Sequence, residues 1–348
     1  MIYKWKEKYF HISRYNFYFG LLTGVVVCLF CMFHVYTKQS ELYLVIAAFA
    51  SFVIALLCSN VFHFTIQKKI KYSFWLCLLA TMTTGLGSYL QSDILYVSIG
   101  IIILMILLAL STLGGTGFFT VLLLSSSLFI IGTGFSANNA LSAFYNALSF
   151  FLGSGIIFSL LIGSAFLKQK SLHLKETFKL PHFQPMTFSV IIYAFQLIVA
   201  VLLTYYISQY LKFPDGYWLP MTALLVLKMD HFDSFQRMKH RFLGTVLGSL
   251  VSIPISFITD KYILSLFMIP ILLFVVLGAS KHYGSFTLFL TAMISIIMNI
   301  ASDKGIYILF YRNLDTFFAV LCVAFILLLT KFIKFIVMAR KIKKAKKL

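Results

Sequence analysis

The stretch GYWLPMTALLVLKMDHFDSFQRMKHRFLGTVLGS, Gly216 to Ser249, decides how the chain is read. It opens on an aromatic pair, Tyr217 and Trp218, then Pro220 and a short apolar segment. A charged turn follows. A second apolar helix is expected from Arg241 onward, with Gly244 and Gly248 four apart on one face. An arginine at the mouth of a membrane helix is costly and therefore marks a function. Glycines four apart let another helix approach closely. The combination reads as part of a conduit for something negatively charged.

Composition agrees with a membrane setting. The 348 residues are 61% hydrophobic and 11% charged, against about 25% charged in an ordinary soluble domain. A spanning helix needs roughly 20 apolar residues, so the chain has room for about twelve spans. The net charge of +19 does not indicate nucleic acid, because the basic residues sit between apolar runs and not on one soluble face. Lysines beside membrane helices set topology. Cys28, Cys31, Cys58, Cys77 and Cys322 all lie inside apolar runs, where cysteine behaves as a small hydrophobe. Neither a metal site nor a cofactor is expected. The N-terminal MIYKWKEKYFHISR leads into a long apolar run without a small-residue cleavage site, so a retained first span is expected.

The expected spans are roughly 16–36, 42–64, 72–90, 94–112, 117–134 and 142–167, then 187–211, 217–229, 241–258, 262–279, 283–301 and 311–335. Of the 29 Lys and Arg, five (Lys38, Lys212, Lys261, Lys304 and Arg312) fall on one face, leaving 24 on the other. Positive charge stays in the cytoplasm, which places both termini there. The chain then divides into a six-helix repeat (1–167), a polar linker (168–186), a second six-helix repeat (187–338) and a basic tail (339–348).

The halves resemble each other at an offset of about 167 residues. Gly117-Phe118-Phe119-Thr120 aligns with Gly284-Ser285-Phe286-Thr287, Tyr145-Asn146 with Tyr311-Arg312, and Lys71-Tyr72-Ser73-Phe74 with Lys239-His240-Arg241-Phe242. Six spans is an even number, so the repeats are parallel, about an axis along the membrane normal. The expected fold is all-α and integral to the membrane: about twelve transmembrane helices as two parallel six-helix repeats, both termini cytoplasmic.

The aromatic pair and short span, followed by Arg241-x-x-Gly244-Thr245-x-x-Gly248, resemble the hallmark of the fusaric acid resistance and aromatic acid exporter superfamily. Arg312, Asp315 and Thr316 are similar to that family's last-span motif, and Tyr217, Trp218, Pro220 and Thr222 to its short span. The plant aluminium-activated malate channels look like distant relatives with one six-helix unit per chain. The resemblance implies transport of organic anions, often aromatic carboxylates, through a plasma membrane. The sequence offers no nucleophile–base constellation of the kind catalysis needs, so no enzymatic activity is expected. This chain departs from larger members in lacking sizeable soluble domains, and its first half lacks the arginine motif.

Each candidate residue has a plainer reading beside it. Asp233, Arg237 and Arg241 share a helical face in the favourable acid-before-base order, which fits ion pairing with Asp230 and Asp233 as well as function. Arg312 and Asp315, three apart, can pair, which lowers the cost of an arginine in the membrane; the plainer reading is an arginine snorkelling outward. Tyr217 and Trp218 fit an aromatic belt or an outer gate. Arg241 and Arg312 would attract the anion, Thr245 and Thr316 would donate hydroxyls, and Asp315 is a protonatable group. The basic tail suits anionic lipid or topology. Glycine-rich Ser111 to Gly117 reads as a turn, since it lacks the Lys-Ser/Thr ending of a phosphate loop. The composition suggests a bacterial membrane protein, and the sequence leaves a homo-oligomer open.

Overall fold

The computed structural model describes residues 13–37, 43–58, 64–135, 137–167, 183–279, 282–302 and 305–345. Most of the linker (168–182), the last residues of the tail (346–348), most of the N-terminal segment and several of the lysines counted above lie outside the described residues.

Twelve α-helices are found among the described residues. In the first half they are α1 (Arg14–Thr37), α2 (Tyr43–Cys58), α3 (Ile66–Leu90), α4 (Ile94–Ser111), α5 (Thr116–Gly132) and α6 (Ala140–Leu167). In the second they are α7 (Phe188–Tyr210), α8 (Trp218–Val226), α9 (His231–Ser256), α10 (Lys261–Ala279), α11 (Tyr283–Ser302) and α12 (Gly305–Ala345). Seven of them, α1, α4, α6, α7, α10, α11 and α12, are long and apolar enough to cross a membrane. Helices α2 and α5 are apolar but shorter, and α8 has nine residues, about 13 Å at 1.5 Å per residue.

Three helix starts differ from the sequence reading, and in two of them a cap explains why. Helix α3 begins at Ile66, where the Thr65 hydroxyl accepts from the Lys68 amide. Helix α9 begins at His231, where the Asp230 carboxylate accepts from the amides of Phe232 and Asp233. Asp230 is therefore a helix cap, not an arginine's partner. Helix α12 begins at Gly305. The polar stretches that looked like connecting turns are helical first turns, which satisfy their own amides through the cap.

This moves the arginines inward. Arg241 lies ten residues past the start of α9, about 15 Å along its axis, and not at a helix mouth. Arg312 lies seven residues into α12, about 10 Å from that helix's opposite-end start.

Packing pairs the helices in a pattern that recurs between the halves. Helix α1 packs on α10, and α4 on α7; α3 packs on α5, and α9 on α11; α2 packs on α6, and α8 on α12. Gly117 of α5 lies against the Tyr72 ring of α3, and Gly284 of α11 lies against His240 of α9. The Tyr15 hydroxyl donates to the carbonyl of Cys58 at the end of α2, and the Tyr193 hydroxyl to that of Leu227 just past α8. The halves are interlocked: Gly20 and Gly24 of α1 sit directly on the backbone of Leu273 and Ile269 of α10.

The connections gather at two ends. At one, Gln91 donates to Ala137, Gly134 lies on Tyr217, and Trp218 stacks with Arg312. At the other, the Gln184 amide donates to Leu113, Thr287 donates to His240, and Lys228 lies over Phe119. Nearly every residue of α2, α5 and α8 is buried, so these short helices form the centre and the long apolar helices surround them. Thr112–Gly114 form a 3-10 turn followed by Gly115, whose φ of 90° suits glycine, in keeping with the turn expected there.

Candidate functional site

The site lies where α8, α9 and α12 meet. Arg241, Arg312 and Asp315 are 1%, 3% and 1% exposed. No nitrogen of either guanidinium, and neither carboxylate oxygen of Asp315, has a hydrogen-bond partner among the described residues. Burying a charge without a partner costs several kcal/mol, so three such groups together call for something that satisfies them. Arg241, Asp315, Tyr217 and Asp215 all lie within electrostatic range of Arg312. The Arg312 guanidinium sits 3.9 Å from the centre of the Trp218 ring, a cation–π contact that offsets part of its desolvation. The Trp218 indole N–H is itself buried with no hydrogen-bond partner among the described residues. The cluster thus offers six guanidinium donor sites and an indole donor to an anion.

Two cavities meet at Trp218. A polar crevice of about 10 Å³, room for about one water, is lined by Asp215, Trp218, Tyr307, Tyr311, Arg312 and Asp315 among others. An apolar chamber of about 40 Å³ lies on the other side, lined by Phe49, Ile131, Phe135, Tyr217, Trp218 and Ile297 among others. That chamber draws on α2 and α5 of the first half and α8 and α11 of the second. A charged crevice and a dry chamber sharing one aromatic wall suit a ligand with an ionised head and an apolar body.

The local sequence places these groups. The α7–α8 turn holds Lys212 and Asp215 at φ 49° and 55°, a left-handed conformation that aspartate tolerates better than most residues. The amides of Trp218 and Leu219 donate to the carbonyls of Asp215 and Gly216, and Pro220 has no amide to satisfy in that first turn. Pro220 and Thr222 are both buried in α8.

Other expected residues take different roles. The Thr245 hydroxyl donates to the Arg241 carbonyl at 2.8 Å, so its proton is already used and it presents lone pairs, not the donor expected of it. Gly244 lies under Thr287 and Gly284, and Gly248 under the Leu288 carbonyl and Thr291. Of the two readings open for these glycines, the structure supports the close helix crossing, between α9 and α11. Arg237 is half-buried and lies 4.9 Å from the Tyr283 ring, one turn away from the cluster and facing another helix. Thr316 is 2% exposed, beside Asp315.

Several residues were missed. Asp215 stood in plain view as an Asp-Gly turn just before the aromatic pair. Tyr307, Tyr311 and Asp315 are spaced by four and share one face of α12, a signal that the later helix start concealed. Asn313 donates to Ser249 at 3.0 Å and ties α12 to α9; nothing in the sequence singled it out.

The fold and this cluster define a multi-pass helical membrane protein with unsatisfied arginines in its interior. Residues 185–326 match the family described as "Fusaric acid resistance protein-like". The matched stretch is similar to that family, and it contains every residue of the cluster. Over 92 residues the chain is 36% identical to an uncharacterized protein, slr1298, of Synechocystis. That stretch is 26% of this chain and 12% of the relative, so the chain spans only a small part of that protein's length. No solved structure matches the chain.

Proposed function

We propose that the protein is a transporter that carries organic anions outward across a bacterial plasma membrane. Arg241 and Arg312 bind the anionic head beside Trp218, and the apolar chamber takes the body. The observation that carries this reading is the pair of buried guanidinium groups, where α8, α9 and α12 meet, with no hydrogen-bond partner among the described residues. The family match supports transport, and the apolar lining supports an aromatic or otherwise apolar carboxylate. Arginine suits a carboxylate because its planar fork donates in pairs. Asp315, inside the same cluster, is the group that would exchange a proton with the cycle. An inside-negative potential favours anion exit by roughly 2.3 kcal/mol per charge per 100 mV.

We also read the two sets of six helices as a parallel repeat with both termini in the cytoplasm. The recurring helix pairs, the equivalent glycine and tyrosine contacts and the excess of Lys and Arg at one end support it.

The test is uptake of radiolabelled benzoate by proteoliposomes carrying the full chain. Arg241→Gln and Arg312→Gln should each abolish saturable uptake while the protein stays folded. Non-saturable flux in the wild type would favour a passive channel. Wild-type flux in both variants, or no flux of any organic acid under an imposed potential, would overturn the assignment and favour a non-transporting scaffold.

A further inference from the structure

Helix α8 touches the first half at both ends. At the Tyr217 end, Gly134 of the α5–α6 connection lies flat on the tyrosine ring. At the other end, about 13 Å away along the helix, the Lys228 ammonium lies 4.9 Å from the centre of the Phe119 ring of α5. Lys228 sits in the turn beyond α8, past the helical residues. Its backbone is held by Ser234: its amide donates to that hydroxyl at 2.8 Å, and the hydroxyl's one proton is shared between the carbonyls of Asp230 at 2.8 Å and Lys228 at 3.1 Å. No hydrogen-bond partner of its ammonium is found among the described residues.

We propose that Lys228 is a second anion-docking charge and, through its contact with Phe119, the gate at the end of the pathway opposite Arg312. The proposal rests on the transport reading above. A carboxylate arriving from the Lys/Arg-rich face would draw the ammonium off the phenyl ring, since an ion pair at close range outweighs a cation–π contact of about 1 kcal/mol. That movement separates α8 from α5 at this end while Tyr217 still rests on Gly134 at the other.

The surroundings make the charge adjustable. Burial, and then Arg237, push the Lys228 amine down to about 7, while Asp233 pulls the other way. Asp230, two residues on, Tyr193 of α7 and His231 in the first turn of α9 are other titratable groups nearby, and α5 carries no charged residue. The amine is charged below pH 7 and neutral above it, so docking strengthens as pH falls.

The experiment is benzoate uptake by proteoliposomes at equal pH on both sides, at pH 6 and pH 8. Benzoate stays ionised across that window. The charged fraction of Lys228 falls from about 0.9 to about 0.09 between those values, so uptake should drop by up to about tenfold. Lys228→Arg should keep uptake high and flatten the slope, and Lys228→Met should be slow at both pH values. The arginine variant shows that a folded protein is in hand even if the methionine variant is not. Wild-type uptake and slope in Lys228→Met, or a slope in Lys228→Arg as steep as the wild type's, each read net of protein-free liposomes, would overturn the proposal and leave the transport reading standing. Absence of uptake in the wild type would remove both.

Discussion

Gly248→Ala separates the two meanings a glycine can have in a transport helix. In the structure a Cβ at this position would run into the carbonyl oxygen of Leu288 and lie 2.8 Å from the Thr291 Cβ and 3.2 Å from the Leu288 carbonyl carbon. The first and last belong to backbone, which cannot rotate away, so α11 must back off from α9. Overpacking of this kind costs about 1–3 kcal/mol, against about 1 kcal/mol gained in helix propensity. Gly155 of α6 supplies the control, because a Cβ there meets nothing within 4 Å. Gly155→Ala collects the propensity gain alone. The difference between the two variants is therefore the clash itself, about 1–3 kcal/mol. The assay is the thermal unfolding midpoint in detergent, with benzoate uptake measured in parallel. A kcal/mol shifts the midpoint by about 2–4 °C in chains of 150–250 residues and by less in one this long, so Gly248→Ala should melt a few degrees below Gly155→Ala. An unchanged midpoint with lost uptake would refute the packing argument and place Gly248 on the anion's path.

Two further outcomes follow from the same geometry. Asp315→Asn removes the only carboxylate among the unsatisfied groups of the cluster; benzoate uptake should persist under an imposed potential but lose its response to a pH gradient, and an intact response would take Asp315 out of the coupling. Asp230→Ala deletes the cap that accepts from Phe232 and Asp233, which should lower stability by about 1 kcal/mol with the apparent KM for benzoate unchanged; a raised KM would mean the cap also positions Arg241.

The helices were legible because apolar runs of this length are unambiguous, and the expected spans fall close to the observed helices. Their starts were less legible where polar residues form the first turns. Residues 231–240 read as a charged turn because hydropathy cannot distinguish a solvated helix from a loop, and the cap at Asp230 is a cue of one residue. Much of the cluster was visible: Arg241, Arg312, Asp315, Tyr217 and Trp218 do come together. Their neighbours were not, because Asp215 and Tyr307 reach the cluster through tertiary position, which no spacing along one helix encodes. The glycines looked like part of a lane because close packing and an open path leave the same trace in sequence, a missing side chain.

The difference between the halves explains why the charge belongs to the second. At the positions aligned with Arg241 and Arg312 the first half has Ser73 and Asn146. There Ser73 meets the Cys58 thiol at 3.2 Å, and Asn146 donates to Ser88 at 3.4 Å, joining α6 to α3. The first half is thus built to satisfy its own polar groups at these two positions. The second half uses a different residue, Asn313, for the equivalent tie between α12 and α9, which leaves Arg312 free of that structural duty. A buried charge with no hydrogen-bond partner among the described residues, beside a neighbouring residue that already holds the helices together, costs stability that its contact with Trp218 offsets only in part. On the proposed reading, its value lies in a negative charge that arrives from outside.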